Sequence, residues 1–208
     1  ARVPRAYVDL NRAADELDPA LIDGIRRAAH NPRVASGLGV IPRVVANGRA
    51  IRSGKITEAA AKARIDRYWR PYHAKLQVLL DEAHTAFGEA ILIDCHSMPH
   101  DSLEGAGLRG QPFPDVVLGD RFGAAAAPAV VERVAAAFSG AGLRVARNMP
   151  FAGAYVTQYY GRPSRRQHTI QVEIDRSLYM DEARIEPHSG FEDFRRLLSG
   201  VIEEIALI

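Results

Sequence analysis

The pattern of apolar and polar positions switches between two periods along the chain. Ala90-Ile91-Leu92-Ile93 is a continuous apolar run that ends in Asp94-Cys95-His96-Ser97, which predicts a buried strand with chemistry at its carboxyl tip. Thr169 to Ile174 predicts a second strand, in which Gln171, Glu173 and Asp175 share one face because side chains alternate along a strand. Leu143 to Ala146 predicts a third, and Ala6 to Leu10 a short strand-like run that delivers Asn11 and Arg12 at its end. Helical spacing takes over elsewhere. Asp18-Pro19 has the form of a cap and first turn for a short helix through Ile25. Thr57 caps the longest helical pattern, carried by Ile65, Tyr68, Trp69, Tyr72, Leu76, Leu79 and Leu80, and Pro71 kinks it or divides it at about Arg70. Pro128 opens a helix through Phe138, and Ser189 with Glu192 forms a capping box for a final amphipathic helix. The Gly- and Pro-rich stretches 31–49 and 102–120 read as irregular chain and as a long loop. Strands separated by helices predict an α/β fold over 1–208: a single-domain three-layer sandwich with a mixed, mostly parallel sheet.

Composition narrows the function classes. The 27 basic and 25 acidic residues nearly cancel, and the Arg pairs are scattered, so nucleic acid is not the expected partner. No apolar run approaches the roughly 18 residues that would span a bilayer, so no membrane partner is expected either. No charged amino end leads into an apolar stretch and cleavage site, which makes the cytoplasm the expected location. The one cysteine, Cys95, has no partner for an internal disulfide and reads as a small buried hydrophobe rather than a nucleophile.

Polar groups at the ends of, or inside, apolar strands are the candidates for chemistry: Asn11 with Arg12, His96, and Glu173 between Val172 and Ile174. An ionised Glu in such a run is costly unless partnered, and two readings follow. Either the face of Gln171, Glu173 and Asp175 is solvated, or Glu173 lines a cleft as a general base near a metal held partly by His96.

Several phrases, in order, carry a resemblance that runs nearly the whole length: Val8-Asp9-Leu10-Asn11-Arg12, Arg70-Pro71-Tyr72-His73, Leu92-Ile93-Asp94-Cys95-His96-Ser97-Met98-Pro99, Asn148-Met149-Pro150-Phe151-Ala152-Gly153, and Gln171 to Glu182. The chain resembles the N-formylglutamate amidohydrolase family and, distantly, zinc carboxypeptidases. The resemblance implies a carboxypeptidase-like fold and zinc-dependent hydrolysis of the amide of N-formyl-L-glutamate or a similar small acidic N-acyl amino acid, as in histidine breakdown. It implies His96 as a zinc ligand, Glu173 as the base, Asn11 and Arg12 as the groups that hold a substrate carboxylate, and Tyr155 as a further substrate contact; the second carboxylate of such a substrate calls for another guanidinium, for which Arg176 is a candidate. Arg109 and Arg162 are alternatives to Arg176. The family's first zinc ligands precede the Asp-Leu-Asn-Arg phrase, whereas no His, Glu or Cys precedes Asn11 here, so either an amino-terminal segment is missing, which is the expectation, or this chain does not hold zinc in the family manner; on both, zinc is expected to be absent or poorly held in the chain as given. Two other readings stand beside this one: a non-catalytic homologue that binds an acidic amino acid, and a zinc amidase or peptidase acting on larger amides.

Overall fold

The computed structural model describes residues 3–26, 31–45, 48–104 and 112–208. Its contacts divide the chain into two units, Ala1–Glu82 and Ala83–Ile208.

The first unit is built around Val8, Leu21, Ile22, Val40, Ile41, Ile56, Ala61 and Ile65. The expected helix after Asp18 stops at one turn. The Asp18 carboxylate accepts the Ala20 N–H and its carbonyl accepts from Leu21 and Ile22, but Ile22 then forms a parallel bridge to Ile56, which pulls the backbone out of helical geometry. Ala6 to Leu10 forms no strand; Asp9 donates one backbone hydrogen bond to Val40 and the segment otherwise turns. Within 31–49 a short helix, α1 (Pro32–Ala35), forms because the Asn31 side chain caps the N–H groups of Arg33 and Val34. The long helical pattern is realised as α2 (Glu58–Arg64), capped by Thr57, then a π-helical turn (Ile65–Trp69), then α3 (Arg70–Phe87). Pro71 has no N–H to continue the ladder, and the helix responds by widening the turn before it, where the Arg70 N–H reaches back to the Ile65 carbonyl.

The second unit holds a four-stranded sheet: β1 (Ala90–Met98), β2 (Val116–Gly119), β3 (Val145–Arg147) and β4 (Gln167–Asp175), in the order β1-β4-β2-β3. β1 runs parallel to β4 and β3 parallel to β2, while β2 is antiparallel to β4, so the sheet is mixed and mostly parallel. β1 is an edge strand and only partly buried, whereas β4 has a strand on each side and is buried almost throughout. β2 corrects the reading of 102–120 as a single loop. Its apolar run is short and flanked by Pro114 and Gly119, so its local signal resembles the loop around it.

Helices α4 (Pro128–Gly140) and α6 (Phe191–Ile205) cover one face of this sheet, where Val131, Val134, Phe138 and Val201 pack against Val116, Leu118, Ile170, Val172 and Ile174, with Ile91 and Ile93 at the margin. His168, buried on β4, ties down the start of α4: its Nδ1 accepts the Ala127 N–H at 3.1 Å and its Nε2–H faces the Glu89 carboxylate at 3.0 Å. α5 (Tyr155–Tyr160) packs against β4, and β5 (Met180–Asp181) with β6 (Glu186–Pro187) forms a small hairpin. The expected capping box is not formed. Gly190 occupies the cap position of α6 and donates its N–H to His188 Nδ1, while Glu192 pairs with Arg195. Among the described residues, no helix is long and apolar enough to cross a membrane.

At the carboxyl end of β2 the 148–153 loop crosses so closely that a Cβ on Gly119 would lie 2.7 Å from backbone atoms of Ala152 and Gly153. Gly119→Ala is expected to destabilise the protein by about 2 kcal/mol or more, since backbone rather than a flexible side chain blocks the added atom. Urea denaturation of parent and variant measures this; equal midpoints and slopes would show that the loop yields freely.

Candidate active site

The face of the sheet turned away from α4 and α6 carries a row of polar side chains. In the β1–β4 register Asp94 is opposite Gln171, His96 opposite Glu173 and Met98 opposite Asp175. Registered residues of parallel neighbours share a face, so His96 and Glu173 stand side by side at the carboxyl ends of adjacent strands. On its other side Glu173 faces Val117 of β2, an apolar wall. Gln171, Glu173 and Asp175 are only 4%, 8% and 3% exposed, which removes the reading of a solvated strand face.

Burying carboxylates in this way requires partners, and the partners organise the site. Gln171 donates from Nε2 to Glu173 Oε1 at 2.8 Å, and its own Oε1 accepts the Ala154 N–H at 2.9 Å. One amide therefore orients the Glu173 carboxylate and holds the start of α5. That start bears Tyr155, partly buried and stacked on Tyr159 with ring centroids 5.2 Å apart. His96 Nε2 meets Asp94 Oδ2 at 2.9 Å, two residues back on the same face. Gln171 and Asp94 were not among the candidates read from the sequence. The available signal was strand alternation, which puts both on the face of His96 and Glu173.

Beyond the strand ends, His100 lies in a 3-10 turn directly after β1. Its Nδ1 is 2.7 Å from Asp175 Oδ2 and 3.3 Å from Ser177 Oγ, and its backbone N–H donates to Glu182. The hydrogen bond to Asp175 holds the imidazole above its ordinary range; partial burial opposes this, and the charges of Asp175, Asp101 and Glu182 add to it. Arg176 is engaged within the same tip: Nε donates to Ser97 Oγ at 3.1 Å, Nη2 to the Ser97 carbonyl, and Nη1 lies 3.6 Å from Glu182. Cys95 is exposed rather than buried, because β1 is an edge strand; packing around the sulfur and the charge of Asp94 push its thiol up, which disfavours the thiolate.

In the first unit, Asn11 and Arg12 are both buried on a turn. The Asn11 N–H donates to Asp9, and Arg12 donates from Nε to the Leu38 carbonyl and from Nη1 to the Asn11 carbonyl. Desolvation pushes the Arg12 guanidinium down from its ordinary value, and the Asp9 carboxylate, 4.0 Å away, opposes the shift. Trp69 Nε1–H donates to the Arg12 carbonyl and His73 Nε2 to the Leu10 carbonyl, so the helix after the π turn fixes the backbone of this pair. Arg162 bonds to backbone carbonyls of Gln158 and Gly161, and Arg109 lies outside the described residues.

The zinc expected from the resemblance needs correction. A catalytic zinc takes three protein ligands and keeps one position open. Among the described residues no group of three or more His, Cys, Asp or Glu side chains is arranged to hold a metal ion, and one ring nitrogen of His96 is already directed at Asp94. These residues do not supply a metal centre, so zinc as cofactor, His96 as part of a ligand cage, and the description of the chain as a metal-dependent amidohydrolase are not retained.

Comparison with known proteins places this geometry in context. The family model described as N-formylglutamate amidohydrolase matches residues 1–180. An N-formylglutamate deformylase of Pseudomonas putida is 30% identical over 212 residues, covering 99% of this chain and 71% of the relative. That of Pseudomonas aeruginosa is 30% identical over 213 residues with the same coverage, 99% and 71%. The crystal structure of an N-formylglutamate amidohydrolase from Ralstonia eutropha JMP134 matches with a TM-score of 0.88 at 35% identity, over 99% of this chain and 75% of that one.

Asp175→Asn is expected to lower the pKa of His100, because the variant withdraws a charge and an acceptor that favour the imidazolium. An NMR pH titration of the His100 ring proton reads this directly. An unchanged midpoint would assign the shift to other groups.

Proposed function

The chain belongs to the N-formylglutamate amidohydrolase family, and from that premise we propose that it hydrolyses the amide of N-formyl-L-glutamate or a similar small acidic N-acyl amino acid, releasing formate and the free amino acid. The observation that carries the reading is the buried Glu173, oriented by Gln171 and in register with His96 at the strand tips. A carboxylate held this way, against an apolar wall and with one oxygen already bonded, is suited to accept a proton from an attacking water. Asn11 and Arg12 are assigned to the substrate carboxylate: a guanidinium fork matches a carboxylate, and burial of the pair strengthens the contact. Tyr155 and Arg176 are assigned as further substrate contacts, Tyr155 from its place at the start of α5 and Arg176 from its place at the strand tip. The family match over 1–180 reaches into both units, which supports treating the chain as one amidohydrolase-like domain, and the cytoplasm is its proposed location.

Binding of an acidic amino acid without turnover is the second reading, favoured by the lack of a metal-holding group among the described residues. Formate release from N-formyl-glutamate, N-formyl-alanine and N-acetyl-glutamate separates the two. The expected result is turnover by the parent, a loss in kcat of about a hundredfold or more in Glu173→Gln, and a rise in KM of about tenfold in Arg12→Ala. Glutamate binding with no formate from any compound would establish the second reading instead. A glutamyl preference that survives Arg12→Ala would move the carboxylate contact elsewhere.

A further inference from the structure

The site reading has Glu173 activate water, and either the proton it takes up there or a second acid is then the proton source for the leaving nitrogen. Amide cleavage needs one: a glutamate amine expelled as its anion is a very poor leaving group, so the nitrogen must be protonated as the C–N bond breaks.

His100 has the arrangement for that step. Its Nδ1 is held by the Asp175 carboxylate at 2.7 Å, with the Ser177 hydroxyl at 3.3 Å. A carboxylate on Nδ1 fixes the ring and keeps the proton there, which leaves Nε2 as the exchanging atom. Among the described residues Nε2 has no hydrogen-bond partner, and the side chain is 41% exposed, so it is accessible from solvent while its other edge is fixed. The edge of the Phe113 ring packs against the imidazole and further defines its orientation. Asp175 follows Glu173 by two residues on the same face of β4, so the carboxylate that holds His100 is roughly 7 Å along the strand from the one assigned to water.

We propose that His100 is the proton donor to the leaving nitrogen: Glu173 takes a proton from water as the new C–O bond forms, the tetrahedral intermediate breaks its C–N bond, and the proton on His100 Nε2 goes to the departing amine. The neutral imidazole then takes a proton from solvent and Glu173 releases to solvent the one it took from water, so protons balance over a turnover. The inference rests on the amide-hydrolase reading above.

Local charge agrees with this role better than with anion binding. Asp175, Asp101 and Glu182 face the imidazole, and Arg176 offsets Glu182, so the surroundings favour a nitrogen that becomes positive and disfavour a second carboxylate. The same carboxylates raise the imidazole above the ordinary histidine range, which favours its acid form.

The test compares N-formyl-glutamate with its oxygen analogue, the formate ester of 2-hydroxyglutarate, whose alkoxide leaves without prior protonation far more readily. His100→Gln is expected to lower kcat on the amide by about a hundredfold and on the ester by less than about tenfold. In the parent, kcat on the amide should fall above the His100 pKa measured by NMR, and Asp175→Asn should move the kinetic limb and the NMR midpoint down together. Equal losses on amide and ester, or a kinetic limb that stays fixed while the NMR midpoint moves, overturns the proton-donor role and leaves the amide-hydrolase reading intact. No formate from the parent on either substrate overturns both.

Discussion

The hydrogen bond between Gln171 and Glu173 is the contact on which the buried polar row of the second unit depends. Two carboxylates, Glu173 and Asp175, are buried on one face of the central strand, and each is costly unless its oxygens are occupied. Glu173 is served from within β4 by Gln171; Asp175 is served from beyond the sheet by His100 and by the Ser177 N–H. Because Gln171 also accepts the Ala154 N–H, orientation of the carboxylate and placement of α5 are one event. Gly119 belongs to the same arrangement, since only a residue without a side chain lets the 148–153 loop come close enough to deliver Ala154. The polar row is thus satisfied partly from within β4 and the turn that follows it, and partly by groups distant in sequence, the His100 ring and the Ala154 N–H.

That dependence explains what could be read beforehand. Tips of strands announced themselves: His96 and Glu173 interrupt apolar runs, and the structure sets them opposite each other. Their supports did not, because Gln171, Asp94 and His100 are ordinary polar residues whose roles come from register and from a turn after the strand. Strand β2 was invisible for a related reason. Its stability comes from pairing with both β4 and β3, and its local sequence, between Pro114 and Gly119, has the punctuation of a loop. Tertiary pairing also overrode local signals at Asp18, where a sound helix start was redirected by the Ile22–Ile56 bridge. At Ser189 a capping box lost to a neighbouring histidine.

Membership in a family and possession of a centre are separate matters here. The order of phrases along the chain was enough to identify the family, which the family match over 1–180 bears out. A ligand cage is a more demanding inference, because it needs several donors converging within about 2 Å of one point. The described donors do not converge in that way: His96 is turned to Asp94, and Asp175 to His100. Sequence likeness therefore transferred the family and its scaffold, while the metal had to be judged on geometry.

The π turn before Pro71 changes how this segment must be indexed. An α-helix rotates by about 100° per residue, so one extra residue in a turn rotates everything after it relative to everything before. Ala61 and Ile65 pack in the apolar cluster of the first unit; Trp69, which also packs against that cluster, and His73 donate to the carbonyls of Arg12 and Leu10. The helix is two rods on one axis with a phase slip between them, the structural counterpart of a frameshift. Any alignment that treats 58–87 as a single uninterrupted α-helix superimposes the correct residues on one side of the slip and their neighbours on the other.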